Sequence, residues 1–166
     1  MAYHSPYPFA GMRTADAAVF QRFLNDQENT FADSYYYNLR VSSQNSPIPD
    51  LPPELQPLHR TLRRKRIDVV AMGYNDPLDW PIADFPILER LNEGVIYTQN
   101  FITIIEVKVR ANPSALGQLV SYPILFRQTF PLSNSRPIKV CLIAEMLTGD
   151  TEFLCKWLGI PYLLYP

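Results

Sequence analysis

The sequence predicts an α/β fold, a mixed central sheet flanked by helices, and three of its features carry that expectation. Near the start, Ala18, Val19, Phe20, Phe23 and Leu24 recur at helical spacing. Further on, strand-forming residues dominate IDVVAM (67–72) and FITIIEVKV (101–109). From 101 to 144 a strand, a helix and a strand follow one another, an order that normally makes a right-handed parallel crossover and puts a helix on the sheet.

Taken in order, residues 1–13 read as an irregular, proline-rich N-terminal arm. Thr14 is the expected N-cap of a helix of about 14 residues ending near Asn29. YYYNLRV (35–41) is rich in strand formers, and a proline-rich connector (46–58) leads through the basic run RTLRRKR (60–66) into the strand 67–72, closed by Gly73. Residues 74–100 read as an insertion before the strand 101–109. Asn112 and Pro113 start a helix, because proline at the first helical position lacks only an N–H that has no partner there. Pro123 is expected to kink it, since Leu119 loses a main-chain donor. IKVCLIA (138–144) is a further strand, Asp150 an expected cap for a short helix ending at Gly159, and 162–165 a last strand, which gives the order αβββαβαβ.

At 166 residues the chain is read as one domain over 1–166, large enough for a sizeable core. Apolar residues at 47 % and charged residues at 19 % are a globular, not a disordered, composition. No run is long and apolar enough to span a bilayer, and MAYHSPYPFAGM lacks the basic-then-apolar pattern of a signal peptide. An intracellular, cytoplasmic protein without a membrane partner is therefore expected, or one associated with a virion if viral. Two cysteines, Cys141 and Cys155, allow neither a disulfide framework nor a four-cysteine iron–sulfur or zinc site, and both are expected to be buried thiols.

The chemistry-bearing pattern lies in the strand 101–109. Alternation puts Ile102, Ile104, Glu106 and Lys108 on one face, so a carboxylate and an ammonium protrude together from an apolar strand. By itself such a pair is better read as a same-face ion pair at a strand end. Asp68 lies inside a second apolar strand, where an ionised carboxylate needs a cation or donors; backbone N–H groups could supply them as well as a metal could. If the two strands pair, Asp68 meets Glu106, and with the carbonyl of Val107 and water they form an oxygen set suited to magnesium or manganese. Gln118 and Tyr122, four residues apart, share one face of the following helix.

The succession IDVV, IIEVKVR and GQLVSY resembles the PD-(D/E)XK nuclease superfamily, and the Gln-x-x-x-Tyr helix resembles its RecB-like branch. The resemblance implies a restriction-endonuclease-like core. It also implies a nuclease that cleaves DNA with a divalent ion on Asp68, Glu106 and Val107, with Lys108 at the attacking water and Gln118 and Tyr122 in support. Ile67 stands where the name-giving motif has proline. Members of that branch often carry an acidic residue on the first helix, for which Asp26 and Glu28 are available.

Five of the fifteen basic residues, Arg60, Arg63, Arg64, Lys65 and Arg66, run into the Asp68 strand and are candidate phosphate contacts; a solvated loop is the blander reading. Tyr35, Tyr36 and Tyr37 could stack on bases, although packing accounts for them as well. Replication, repair or packaging in a virus or mobile element are the expected settings. With a net charge of only −1, a structural or adaptor protein with a vestigial site, in a homo-oligomer or a larger assembly such as a virus particle, stands as the alternative.

Overall fold

The chain is described by a computed structural model over residues 3–4, 9, 12–26, 32, 34–41, 65–73, 101–131 and 137–166. Its elements run β1 (Tyr3–His4), α1 (Thr14–Asp26), β2 (Ser34–Arg40), β3 (Arg66–Gly73), β4 (Phe101–Ala111), α2 (Pro113–Thr129), β5 (Ile138–Leu147), α3 (Gly149–Leu158) and β6 (Tyr162–Leu164). The strands form one mixed sheet in the order β1-β2-β3-β4-β5-β6. β2, β3 and β4 are antiparallel neighbours, whereas β1 pairs parallel with β2, β5 with β4 and β6 with β5. The three parallel pairs are joined by crossovers that contain α1, α2 and α3 respectively.

Several boundaries differ from expectation. A two-residue strand, β1, lies in the arm read as irregular, and it pairs with Ser34 and Tyr35. Thr14 is the first residue of α1 rather than its cap, because Ala17 N already donates to Arg13 O. Asp150 stands in the first turn of α3 and Thr148 takes the cap position; there the Thr148 and Thr151 hydroxyls share a 2.7 Å hydrogen bond. Asn112 caps α2 as read, its side chain accepting from Ser114 N at 3.0 Å, and α2 continues through Pro123. The insertion 74–100 and the connector 46–58 lie outside the described residues.

The sheet carries apolar cores on both faces. On one, Ile102, Ile104 and Leu142 pack beneath Leu116, Leu119, Tyr122 and Phe126 of α2, with Cys155 of α3. On the other, Ile105, Val107 and Ile143 pack against Val19, Phe20 and Phe23 of α1. Period-two alternation along β4 and β5 produces this division. Tyr35 and Tyr37 belong to the α1 core, each with its ring 6.0 Å from that of Phe20, so packing accounts for both. Burial raises the Tyr37 hydroxyl above its ordinary pKa. Cys141 and Cys155 are buried free thiols, and burial pushes Cys141 up to about 12. Among the described residues no helix is long and apolar enough to cross a membrane.

One irregularity in the sheet positions everything that follows. Regular alternation would put Leu39 and Ile67 with Tyr37 and Val69 on the α1 face, yet both join the α2 core. Between them sit Asn38, with a left-handed φ of 50°, and Asp68. These two are skipped in the β2–β3 register, which passes from Tyr37↔Val69 to Leu39↔Ile67. Asparagine tolerates that φ better than most side chains, which lets the strand reverse its facing there. The β3–β4 ladder ends at Val69↔Ile105. Asp68 thus stands where β3 leaves β4, while its pairing with β2 is interrupted and resumes at Ile67.

Candidate functional site

Beyond Ile105, β4 keeps β5 along one edge as far as Ala111 but loses β3 along the other. Its N–H groups on that open edge require acceptors, because an unpaired buried donor costs about 1–3 kcal/mol. Two carboxylates supply them. Val107 N donates to Asp68 Oδ2 at 3.1 Å, and Val109 N donates to Asp16 Oδ1 at 2.8 Å. Asp68 therefore accepts a main-chain N–H, and it also faces a cation.

That cation is the Lys108 ammonium. Its Nζ lies 3.1 Å from Asp68 Oδ2, 2.6 Å from Glu106 Oε1 and 2.9 Å from Val107 O. The Glu106 Oε1 contact is a short ion pair, and Oε2 of this fully buried carboxylate has no hydrogen-bond partner among the described residues. Burial is the main cause that raises Glu106 from 4.5 to about 7, and the Asp68 charge adds to it; Lys108 opposes both without cancelling them. Burial alone would lower Lys108, but Asp68 and Glu106 outweigh it and raise the amine above its ordinary value, keeping it an ammonium.

Gln118 and Tyr122 lie on the turn of α2 above this cluster, and Gln118 Nε2 donates to Tyr122 Oη at 2.9 Å. Tyr122 is buried; desolvation first, then Glu106 and Asp68, raise its pKa and hold it as a neutral phenol. A cleft of about 420 Å³ opens between the start of α1 and the start of α2, lined by Arg13, Asp16, Asp68, Lys108, Arg110 and Gln118, among others. The sequence-predicted residues Asp68, Glu106, Val107, Lys108, Gln118 and Tyr122 thus gather at one place.

The other expectations fare differently. Asp26 lies ten residues, about 15 Å of helix, from Asp16, where it accepts from Tyr165 Oη at 3.1 Å; Glu28 lies outside the described residues. Asp16 is the acidic residue that α1 brings to the site, and its signal was present in the sequence. It precedes Val19, Phe20 and Phe23 by three, four and seven positions, which places a carboxylate on the buried stripe of the helix. Arg60, Arg63 and Arg64 lie outside the described residues. Lys65 and Arg66 do not line the cleft, and Arg66 sits opposite Arg40 in the β2–β3 ladder. Among the described residues, the cleft's basic side chains are Arg13, Lys108 and Arg110.

Among the described residues no three His, Cys, Asp or Glu side chains converge as a metal site. The cation position is built from two carboxylates and a main-chain carbonyl, all hard oxygen donors of the kind magnesium takes while keeping part of its water. A buried Glu106 whose Oε2 has no hydrogen-bond partner among the described residues fits that role. Compared with protein-family models, curated proteins and solved structures, the chain matches none.

Proposed function

We propose that this chain is a magnesium-dependent nuclease with a restriction-endonuclease-like core of the PD-(D/E)XK kind, cleaving DNA phosphodiester bonds. The observation that carries the proposal is the convergence of Asp68 Oδ2, Glu106 Oε1 and the Val107 carbonyl on one cation position at the floor of an open cleft. When bound there, magnesium supplies a lower pKa for an attacking water and neutralises charge building on the phosphoryl oxygens.

The protein's own groups do the rest. Asp68 is anchored by Val107 N, so its carboxylate stays in place without the ion. Lys108 provides a positive charge for the phosphate, and Arg13 and Arg110, exposed on the cleft wall, hold the flanking phosphates. Tyr122, kept neutral and tied to Gln118, closes the apolar side of Glu106.

Incubation with linear, nicked, branched and single-stranded DNA, with magnesium or manganese and with EDTA, tests the proposal. Asp68→Ala and Lys108→Ala are expected to abolish magnesium-dependent cleavage while leaving the circular dichroism spectrum of a folded protein. Cleavage by wild type that merely equals that of Glu106→Ala would remove the nuclease reading.

A second reading, the same fold as a component of a larger assembly with an idle site, is favoured by one observation. Phe153 and Trp157 of α3 stack with ring centroids 6.4 Å apart while 64 % and 78 % exposed, beside exposed Leu158. Apolar surface of that kind marks an interaction site more often than a free face.

A further inference from the structure

Resting on the metal-dependent reading above, we infer that the Lys108 ammonium and the divalent ion occupy one and the same position, the lysine being an internal cation that the metal must displace. Lys108 Nζ contacts Asp68 Oδ2, Glu106 Oε1 and Val107 O, the three oxygens the ion would take. A magnesium ion sits about 2.0–2.1 Å from its oxygens, so an ammonium on the same three acceptors leaves it no room. Two cations side by side on one oxygen set would also repel each other.

The side chain has both a reason to stay and a way to leave. It stays because Asp68 and the buried Glu106 would otherwise face each other without a compensating charge. It can leave because its stem is four carbons long and unbranched, its side chain is 28 % exposed, and the cleft of about 420 Å³ opens directly beside it. Displaced, Nζ moves toward the cleft, where Arg13 and Arg110 already present positive charge. Loading of the ion and delivery of the lysine to the substrate phosphate are then one event. Without the ion, the lysine neutralises its own carboxylates and is withheld from the phosphate.

Two measurements on the full chain test this. The first is the rate at which an amine-acylating reagent modifies Lys108, read by mass spectrometry against Lys139 and Lys156, with and without saturating magnesium. The second is manganese binding to wild type, Lys108→Met and Glu106→Gln by calorimetry and electron paramagnetic resonance. Lys108 is expected to be protected in the metal-free protein and several-fold more reactive with magnesium. Lys108→Met is expected to bind manganese about tenfold more tightly than wild type or better, and Glu106→Gln to lose binding. Manganese bound to wild type with Lys108 still protected, or with no gain in Lys108→Met, overturns the inference and leaves the metal reading standing. No binding by either wild type or Lys108→Met removes both. The acylation readout uses the unaltered protein, so a misfolded variant does not blunt it.

Discussion

Glu106 is fully buried, its Oε2 has no hydrogen-bond partner among the described residues, and it sits beside a second carboxylate, Asp68. Its pKa is raised from 4.5 to about 7, so the folded state holds this proton more tightly than the unfolded chain does. The associated stability is fully present below about pH 4.5 and is lost as pH rises through about 7, at up to about 1.4 kcal/mol per pH unit. In metal-free buffer, the unfolding free energy of wild type minus that of Glu106→Gln is expected to fall across this window. A difference that stays flat from pH 4.5 to 7 would show that Glu106 ionises as freely in the folded protein as in the unfolded chain.

Elements are held to one another at the same place. α1 meets β4 through Asp16, which accepts from Val109 N at 2.8 Å, a bond the open edge of the strand would otherwise lack. Asp16→Ala orphans that donor and is expected to cost about 1–3 kcal/mol in denaturant unfolding, whereas Asp16→Asn, which keeps an acceptor, costs markedly less. Equal losses in the two variants would mean that the charge, not the hydrogen bond, matters. Two glycines make an opposed pair. A β-carbon at Gly73 collides with the ring of Phe101, its partner across the β3–β4 ladder, while one at Gly117 on the exposed side of α2 meets nothing within 4 Å. Gly73→Ala is therefore expected to lower the melting temperature, and Gly117→Ala to stabilise by about 0.5–1 kcal/mol, as alanine does in a helix interior.

At the scale of the whole molecule, Arg22 of α1 reaches Glu145 on the facing side of β5 at 2.8 Å and the Tyr165 carbonyl at 3.1 Å, so α1 and the last residues hold each other. The opposite layer ends in exposed apolar side chains, Trp157 foremost. Trp157→Ser is expected to leave thermal stability within about 0.5 kcal/mol of wild type, the ordinary range for an exposed position. If the assembly reading holds, the same substitution lowers the oligomer mass seen by light scattering. A large loss of stability in a monomeric protein would place the indole in a core instead.

Much of this was legible before any coordinates, and the reasons are local. Hydrophobic period separated helix from strand, proline and asparagine placed the start of α2, and alternation put Glu106 and Lys108 on one face of β4. The joint action of Asp68 with that pair required strand pairing, which IDVVAM and FITIIEVKV made plausible by composition alone. What remained hidden depends on contacts distant in sequence. Asp16 could not be set beside Val109 until α1 was docked. The end of the β3–β4 ladder at Val69, which frees the Val107 and Val109 donors, lies beside a facing reversal at Asn38 that no periodicity announces. Residue types and their spacing dictate which side chains can share a face of one element. Which face meets which, and whether a buried carboxylate finds a donor, an ammonium or neither, is settled by packing, since the energies involved are those of desolvation and change with every neighbour.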